Sequence, residues 1–567
     1  MPLKRKHKIF LTILLSFGVL AQGITMFRSG LIYDFGMGFW GPNGHDGVWH
    51  LALANQVLKG FPPPHPTLAS FELTNYHYFY DLVIAIVNKL TFIPIRHLYF
   101  QIFPFFLALG IGWLSFLVGY YWQKDFWTGF WLAFFNYFAG SFGFLVTLWR
   151  TGELGGESLF WSMQSISTLV NPPFAFSLVV LLAGMYLLLR VKNWNRWKII
   201  GLGLLFGMLI DIKVYAGIIA LPALLVFALF KLWQNKKQYL GVFLVALVTS
   251  LATFFLINKK AASLLVFEPL WFIHTMIESS DRFYLQRLAL ARYTLIEGKF
   301  GPRLFALELG TLGIFLLGNL GTRVIGLKTL IEKNIKKDFT DLDAFILIGG
   351  AVGLLIPLVF VQKGTAWNTI QFFYYFLFFA NFYAAVALSK MMKIKKNYKW
   401  ILLGIIILLT IPTSFSTLKG YLGWPPPTAL SKGELEALDF LKKQKEATVL
   451  TFFYNPFEKE RFKQTPIPLY VYETTAYVSA FSGKQTFLED EMNLLISGYD
   501  IKQRGGDELK FFISEDKIWA RGFLLNNQIG YIYLTDRQRF LLPEDELGVD
   551  KIFDNGEARI YQVRGII

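Results

Sequence analysis

A chain of 567 residues in which 54% are hydrophobic, 18% aromatic and only 17% charged is too apolar for a water-soluble protein of this length. The absence of cysteine excludes disulfides, thiol catalysis and thiolate metal sites. The formal charge of +16 reads as the Lys and Arg excess of cytoplasmic loops in a membrane protein, and nucleic acid is not an expected partner.

Apolar stretches recur from residue 9 to residue 418, and runs of about 17 to 25 such residues cross a hydrocarbon core of about 30 Å as helices. The first, Ile9 to Phe27, follows the basic Lys4, Arg5, Lys6 and Lys8 without a small-x-small cleavage site behind it, so a retained anchor is expected. An outer loop, 28–75, comes next. It carries Tyr33-Asp34 and then Gly44-His45-Asp46-Gly47-Val48-Trp49-His50. An ionisable side chain beside a bilayer is costly unless it serves a function, which makes Asp46 the candidate catalytic carboxylate, with a helix-capping Asp as the plainer alternative. Asp34 is a secondary acidic candidate in what also suits an ordinary turn. Val48 to Leu58 predicts a short amphipathic helix lying at the interface, anchored by Trp49. The stiff Lys59-Gly60-Phe61-Pro62-Pro63-Pro64-His65-Pro66 leads to Asn75-Tyr76-His77, whose rings, with His65, are candidate substrate contacts. No pair of them shows a dedicated metal spacing, so neither a metal nor another cofactor is expected.

Basic clusters at Lys4 to Lys8, Arg190 to Lys198, Lys231 to Lys237, Arg323 to Lys337 and Lys390 to Lys399 mark the cytoplasmic side. The alternation allows 11 or 13 spans, depending on whether 76–94, with Asp81, Asn88, Lys89 and Pro94, crosses or lies along the membrane. Asp211-Ile212-Lys213 breaks an apolar run at the exterior face, where Lys213 suits a phosphate or pairs with Asp211. The outer loop 258–302 carries Lys259, Lys260, Arg282, Arg287, Arg292 and Lys299, a basic stretch on the side where few are expected, and an anionic lipid headgroup gives it a reason. Trp367 sits in a further outer turn with a ring suited to stacking on a sugar. After Trp424-Pro425-Pro426-Pro427 the apolar runs stop, and 428–567 reads as a soluble α/β domain. Its expected elements are a capped helix from Ser431, strands at Thr448 to Phe453, Tyr531 to Leu534 and Ala558 to Val563, and a helix over Glu515 to Asn526. Its aromatic segments around Tyr470 and Tyr477 suit either internal packing or a binding surface.

Asp46, the following Gly60, His65-Pro66 and Tyr76-His77-Tyr78, set between a first span and many more, resemble the GT-C superfamily of membrane glycosyltransferases, of the mannosyltransferase and aminoarabinose-transferase type. His45-Asp46 stands where that family often carries an acidic pair. The resemblance implies a multi-pass α-helical membrane protein of about 11–13 helices, with residues 1–427 as the catalytic transmembrane domain and 428–567 as an extracytoplasmic α/β domain. It further implies a membrane enzyme that takes a sugar from a polyprenyl-phosphate donor and passes it, with inversion, to a glycan, lipid or protein acceptor. Asp46 would be the general base, and Lys213 with Arg282, Arg287 and Arg292 would hold the lipid phosphate. The competing readings are a polyprenyl-lipid transporter or flippase, disfavoured by the lack of an internal repeat, and a glycan polymerase or ligase.

Overall fold

The computed structural model describes residues 3–258, 265–299 and 301–567. Among them, eight helices are long and apolar enough to cross a membrane, or up to ten if each of two bent pairs is one span. The chain is thus a multi-pass helical membrane protein, with fewer full-length spans than the 11 or 13 expected. The difference has local causes. Phe79–Thr91 is a helix of 13 residues, short at about 1.5 Å per residue for a core of about 30 Å. The stretch 199–213 is broken into Arg196–Gly207 and Leu209–Ile212. Phe126–Phe138 and Gly143–Thr151 form a pair bent by 43°.

The chain divides into two compact units. The first, Met1–Thr25, Phe105–Leu256 and Ala261–Leu422, holds most of the spans. Its most enclosed full-length span is Ala366–Met392, whose Phe372, Phe373, Phe378, Phe379 and Phe382 are buried on several sides, as expected of a helix that is apolar all round. The basic cluster Arg323 to Lys337 does not lie wholly in water. Arg323 is buried, its guanidinium donating to Asn381 Oδ1 at 2.7 Å, Gln164 Oε1 at 2.8 Å and the Ala139 carbonyl at 3.0 Å. Lys333 is buried against Asp343 at 3.0 Å.

The second unit joins Met26–Pro104 and Ile257–Lys260 to Gly423–Ile567, so the compact body around the C-terminal segment also takes in the outer loop expected after the first span. One sheet shows how. Ile32–Tyr33 and Gly36–Phe39 pair antiparallel, Gly36–Phe39 pairs with Thr428–Leu430, and that strand pairs parallel with Ile467–Pro468. Gly36 has φ +117°, and a Cβ there would stand 2.1 Å from the Leu430 carbonyl oxygen, so only glycine lets these strands meet. A second sheet runs in the order Thr448–Leu450, Ile529–Thr535, Ala558–Val563, Val549–Asp554. The helix Lys432–Lys443 starts from the Ser431 and Glu434 capping box read in the sequence. Lys517–Asn526 is helical from an Asp516 cap. Thr448–Leu450 is a shorter strand than expected, while Ala558–Val563 has the expected bounds.

Candidate functional site

Asp46 is the first residue of the helix Asp46–Gln56, which follows a 3-10 turn at Gly41–Gly44. The two flanking glycines serve close approach. A Cβ on Gly47 would meet the Phe100 ring at 2.8 Å, and one on Gly44 would meet Thr428 Cγ2 at 2.9 Å. The helix does not lie amphipathically at an interface as expected. Val48 to Ala54 are buried, and Trp49 packs edge-on to Tyr76 at 5.4 Å and against His65. Covering of both faces within the unit, including by the helix Tyr477–Ser482, removes the polar face that an interfacial helix needs. The cap position belongs to His45, and no side-chain capping bond is made there.

What distinguishes Asp46 is a row of three side chains. His45 Nδ1 lies 2.8 Å from Asp46 Oδ1, and its Nε2 lies 3.2 Å from Asp490 Oδ1. Burial opposes a charge on His45, but the Asp490 carboxylate, and then the bond to Asp46, more than offset it and raise its pKa well above the usual range. The two flanking carboxyl groups thus favour the imidazolium form of His45. Asp490 is wholly buried and also accepts from the Asn493 amide and side chain. The Asp46 side chain, in contrast, is 48% exposed. The row thus presents one accessible carboxylate backed by a fixed cation and a second anion.

The remaining outer-loop residues take other places. His65 is fully buried, accepts weakly from the Thr67 amide, and is pushed down to about 3 by burial and then by the Arg504 charge, so it stays neutral in the interior. His77 stacks on Tyr76 at 4.7 Å. Burial, with Asp81 next, raises the Tyr76 phenol well above its usual range. His50 pairs with buried Asp81 at 2.9 Å. Asp34 lies exposed in the turn between Ile32–Tyr33 and Gly36–Phe39.

In the membrane unit, Lys213 separates Leu209–Ile212 from Val214–Trp233 and is buried, its Nζ 3.4 Å from Asn171 Oδ1. Arg282 lies over the Trp161 ring at 4.1 Å, beside Asp281 at 3.4 Å. Arg292 is bound to Glu308 at 2.8 Å and faces Glu278 at 3.6 Å, Arg287 is exposed, and Trp367 stands 42% exposed on a 3-10 turn. Lys259 and Lys260 lie outside the described residues. Among the described residues no three His, Asp or Glu side chains converge on a metal position. Both ring nitrogens of His45 are already engaged by carboxylates.

Asp490 is the member of this row that sequence reasoning missed. The signal was the uninterrupted Glu489-Asp490-Glu491 following Phe487-Leu488, three carboxylates in a row beside an apolar pair.

No protein-family model matches the chain. No curated protein sequence matches it either. Solved structures do. The oligosaccharyltransferase of Archaeoglobus fulgidus, tethered to an acceptor peptide containing the NVT sequon, is similar at 14% identity and TM-score 0.52, over 94% of this chain and 69% of that one. The Archaeoglobus fulgidus enzyme AglB in complex with an inhibitory peptide and a dolichol-phosphate is similar at 12% identity and TM-score 0.52, over 94% and 70%. ArnT from Cupriavidus metallidurans bound to undecaprenyl phosphate spans 98% of both chains at 12% identity, with a TM-score of 0.41. At these identities the likeness is one of fold, and the fold is the one the GT-C resemblance implied.

Proposed function

We propose that this protein is an integral membrane glycosyltransferase that moves a sugar from a polyprenyl-phosphate carrier to an acceptor on the outer face, with Asp46 as general base. The observation that carries the reading is the Asp46–His45–Asp490 row: an accessible carboxylate, fixed at a helix start, in a chain with the fold of a dolichol-phosphate-binding oligosaccharyltransferase. A carboxylate so held is a positioned acceptor for the proton of an attacking hydroxyl or amide, a role worth about 10²- to 10⁴-fold in rate.

In the proposed reaction the acceptor oxygen or nitrogen attacks the anomeric carbon from the face opposite the carrier. The bond from that carbon to the phosphate oxygen breaks, its electron pair leaves on the phosphate, and the acceptor's proton passes to Asp46. One displacement inverts the anomeric centre. His45 holds the Asp46 carboxyl in one orientation, and Asp490 offsets the imidazolium so that the row keeps its net negative charge. In the membrane unit, Lys213, buried with its Nζ 3.4 Å from Asn171 Oδ1, is the residue assigned to the departing phosphate, whose developing charge its ammonium would offset. Arg292, already bound to Glu308 and facing Glu278, gains less. No step is routed through a metal, since the described residues offer no convergent donor set.

Membranes carrying the protein, assayed with a panel of radiolabelled polyprenyl-phosphate sugars, test the reading. Asp46→Asn is expected to retain folding and carrier binding while transfer falls by about 10²-fold or more. Transfer by Asp46→Asn at the parent's rate would remove Asp46 from the reaction.

A further inference from the structure

Beside Asp490, within the same unit, lies a cleft of about 490 Å³, part of it open to solvent. Its wall holds Glu458, Glu473, Glu489, Asp490, Glu491 and Glu508 and not one Lys, Arg or His, in a chain whose net charge is +16. Three of these acids are accounted for by the fold. Glu489 accepts from the Val478 and Ser479 amides at 2.9 and 3.0 Å, Asp490 from His45 and Asn493, and Glu491 from the Thr474 hydroxyl. Glu508 is not. It projects from the helix Lys502–Ile513 into the cleft wall, is 1% exposed, and its Oε1 has no hydrogen-bond partner among the described residues. An orphaned buried carboxyl oxygen costs about 1 to 3 kcal/mol or more unless something answers it.

The charge of the neighbouring Arg504 opposes the rise of the Glu508 carboxyl's pKa but gives its Oε1 no hydrogen bond. Arg504, one turn earlier on the same helix, spends its Nε on the Phe487 carbonyl at 2.7 Å and its Nη2 on the Ala69 carbonyl at 2.9 Å. Burial, and then Glu491 and Glu489, push the Glu508 carboxyl well above its usual range, and burial pushes Glu489 up to about 8. A cation in the cleft would relieve both effects. Its kind follows from the other wall residues. Phe452, Tyr454, Tyr470 and Tyr477 supply ring surface, which suits an organic cation and offers nothing to a small hydrated metal ion. The single orphaned oxygen suits one N–H donor, whereas a divalent ion needs several convergent oxygens.

We propose that this cleft binds a ligand through a primary ammonium group received by Glu508. Asp490 lines the cleft and is also the far end of the row that ends in Asp46, which makes the cleft the anchoring subsite of an amine-bearing acceptor. This second step rests on the glycosyltransferase reading, while the ammonium site itself does not.

The test is calorimetry on the purified full chain in detergent, with butylammonium as probe and butanol, a neutral disaccharide and magnesium chloride as comparison arms. Butylammonium is expected to bind, butanol and the disaccharide at least ten-fold more weakly, and Asp46→Asn to bind like the parent. Glu508→Gln is expected to weaken butylammonium at least ten-fold. Glu473→Gln, at an exposed cleft residue, is expected to weaken it less and serves if Glu508→Gln does not fold. No butylammonium binding, equal binding by Glu508→Gln, Glu473→Gln and the parent, stronger binding of the disaccharide, or binding of magnesium alone would each overturn the site. Because Asp46→Asn is expected to lower transfer and to spare amine binding, loss of one reading leaves the other standing.

Discussion

His45 is where the electrostatics of the row can be read in solution. Its folded pKa is raised well above the usual value near 6.5, with burial opposing the shift and Asp490 and Asp46 producing it. A raised folded pKa means that the charged pairing contributes its full stability below the unfolded pKa and loses it as pH rises through the folded one. His45→Gln removes the cation and leaves Asp490 buried without it, a loss on the order of 3 kcal/mol by analogy with broken buried pairs. The melting temperature of the parent is therefore expected to exceed that of His45→Gln most at pH 6, and the gap is expected to narrow as pH rises above neutrality. A gap that is constant with pH, measured by thermal unfolding in one detergent, would mean that His45 is neutral in the folded chain. The same residue shows the reach of sequence reading. His45 was visible beside Asp46, but its second partner lies 445 residues away, and no local pattern links positions so distant.

Helix starts and helix interiors make different demands on glycine, and two positions separate them. Gly47 lies in the first turn of Asp46–Gln56, where a Cβ would stand 2.8 Å from the buried Phe100 ring. Gly522 lies inside Lys517–Asn526, where a Cβ would meet nothing within 4 Å. Alanine favours a helix interior over glycine by about 1 kcal/mol, whereas overpacking a buried contact costs about 1 to 3 kcal/mol. Gly522→Ala is expected to raise the melting temperature and Gly47→Ala to lower it, with sugar transfer lost in parallel in the second because Asp46 rides on the displaced turn. A rise in both would show that Phe100 yields. Elements of this kind were unevenly legible. The capping box at Ser431 and Glu434 and the strand Ala558–Val563 carry their own local signals, whereas the helix after Asp46 carries a pattern that fits an interface and is buried by segments distant in sequence.

At the scale of the whole chain, the apolar runs were legible because a bilayer demands a length and hydropathy that a single sequence displays; their count was not, because hydropathy marks neither the shortness of the helix Phe79–Thr91 nor the 43° bend between Phe126–Phe138 and Gly143–Thr151. Orientation rests on the basic clusters, and two of those charges, Arg323 and Lys333, are buried. The cluster at Lys390 to Lys399 keeps Lys393, Lys395 and Lys396 exposed, and the expected orientation rests on it. Since the chain has no cysteine, single substitutions report position without background. Glu515→Cys places a thiol on an exposed position of the C-terminal segment, and Lys395→Cys places one in the basic loop. On intact cells a membrane-impermeant maleimide is expected to label Glu515→Cys, with Lys395→Cys labelled only after permeabilisation. The reverse pattern would place the Asp46 row on the cytoplasmic side, since Asp490 belongs to the C-terminal segment and reaches Asp46 through one histidine. Transfer would then have to use a carrier sugar presented to the cytoplasm, and an outer-face acceptor would no longer be tenable.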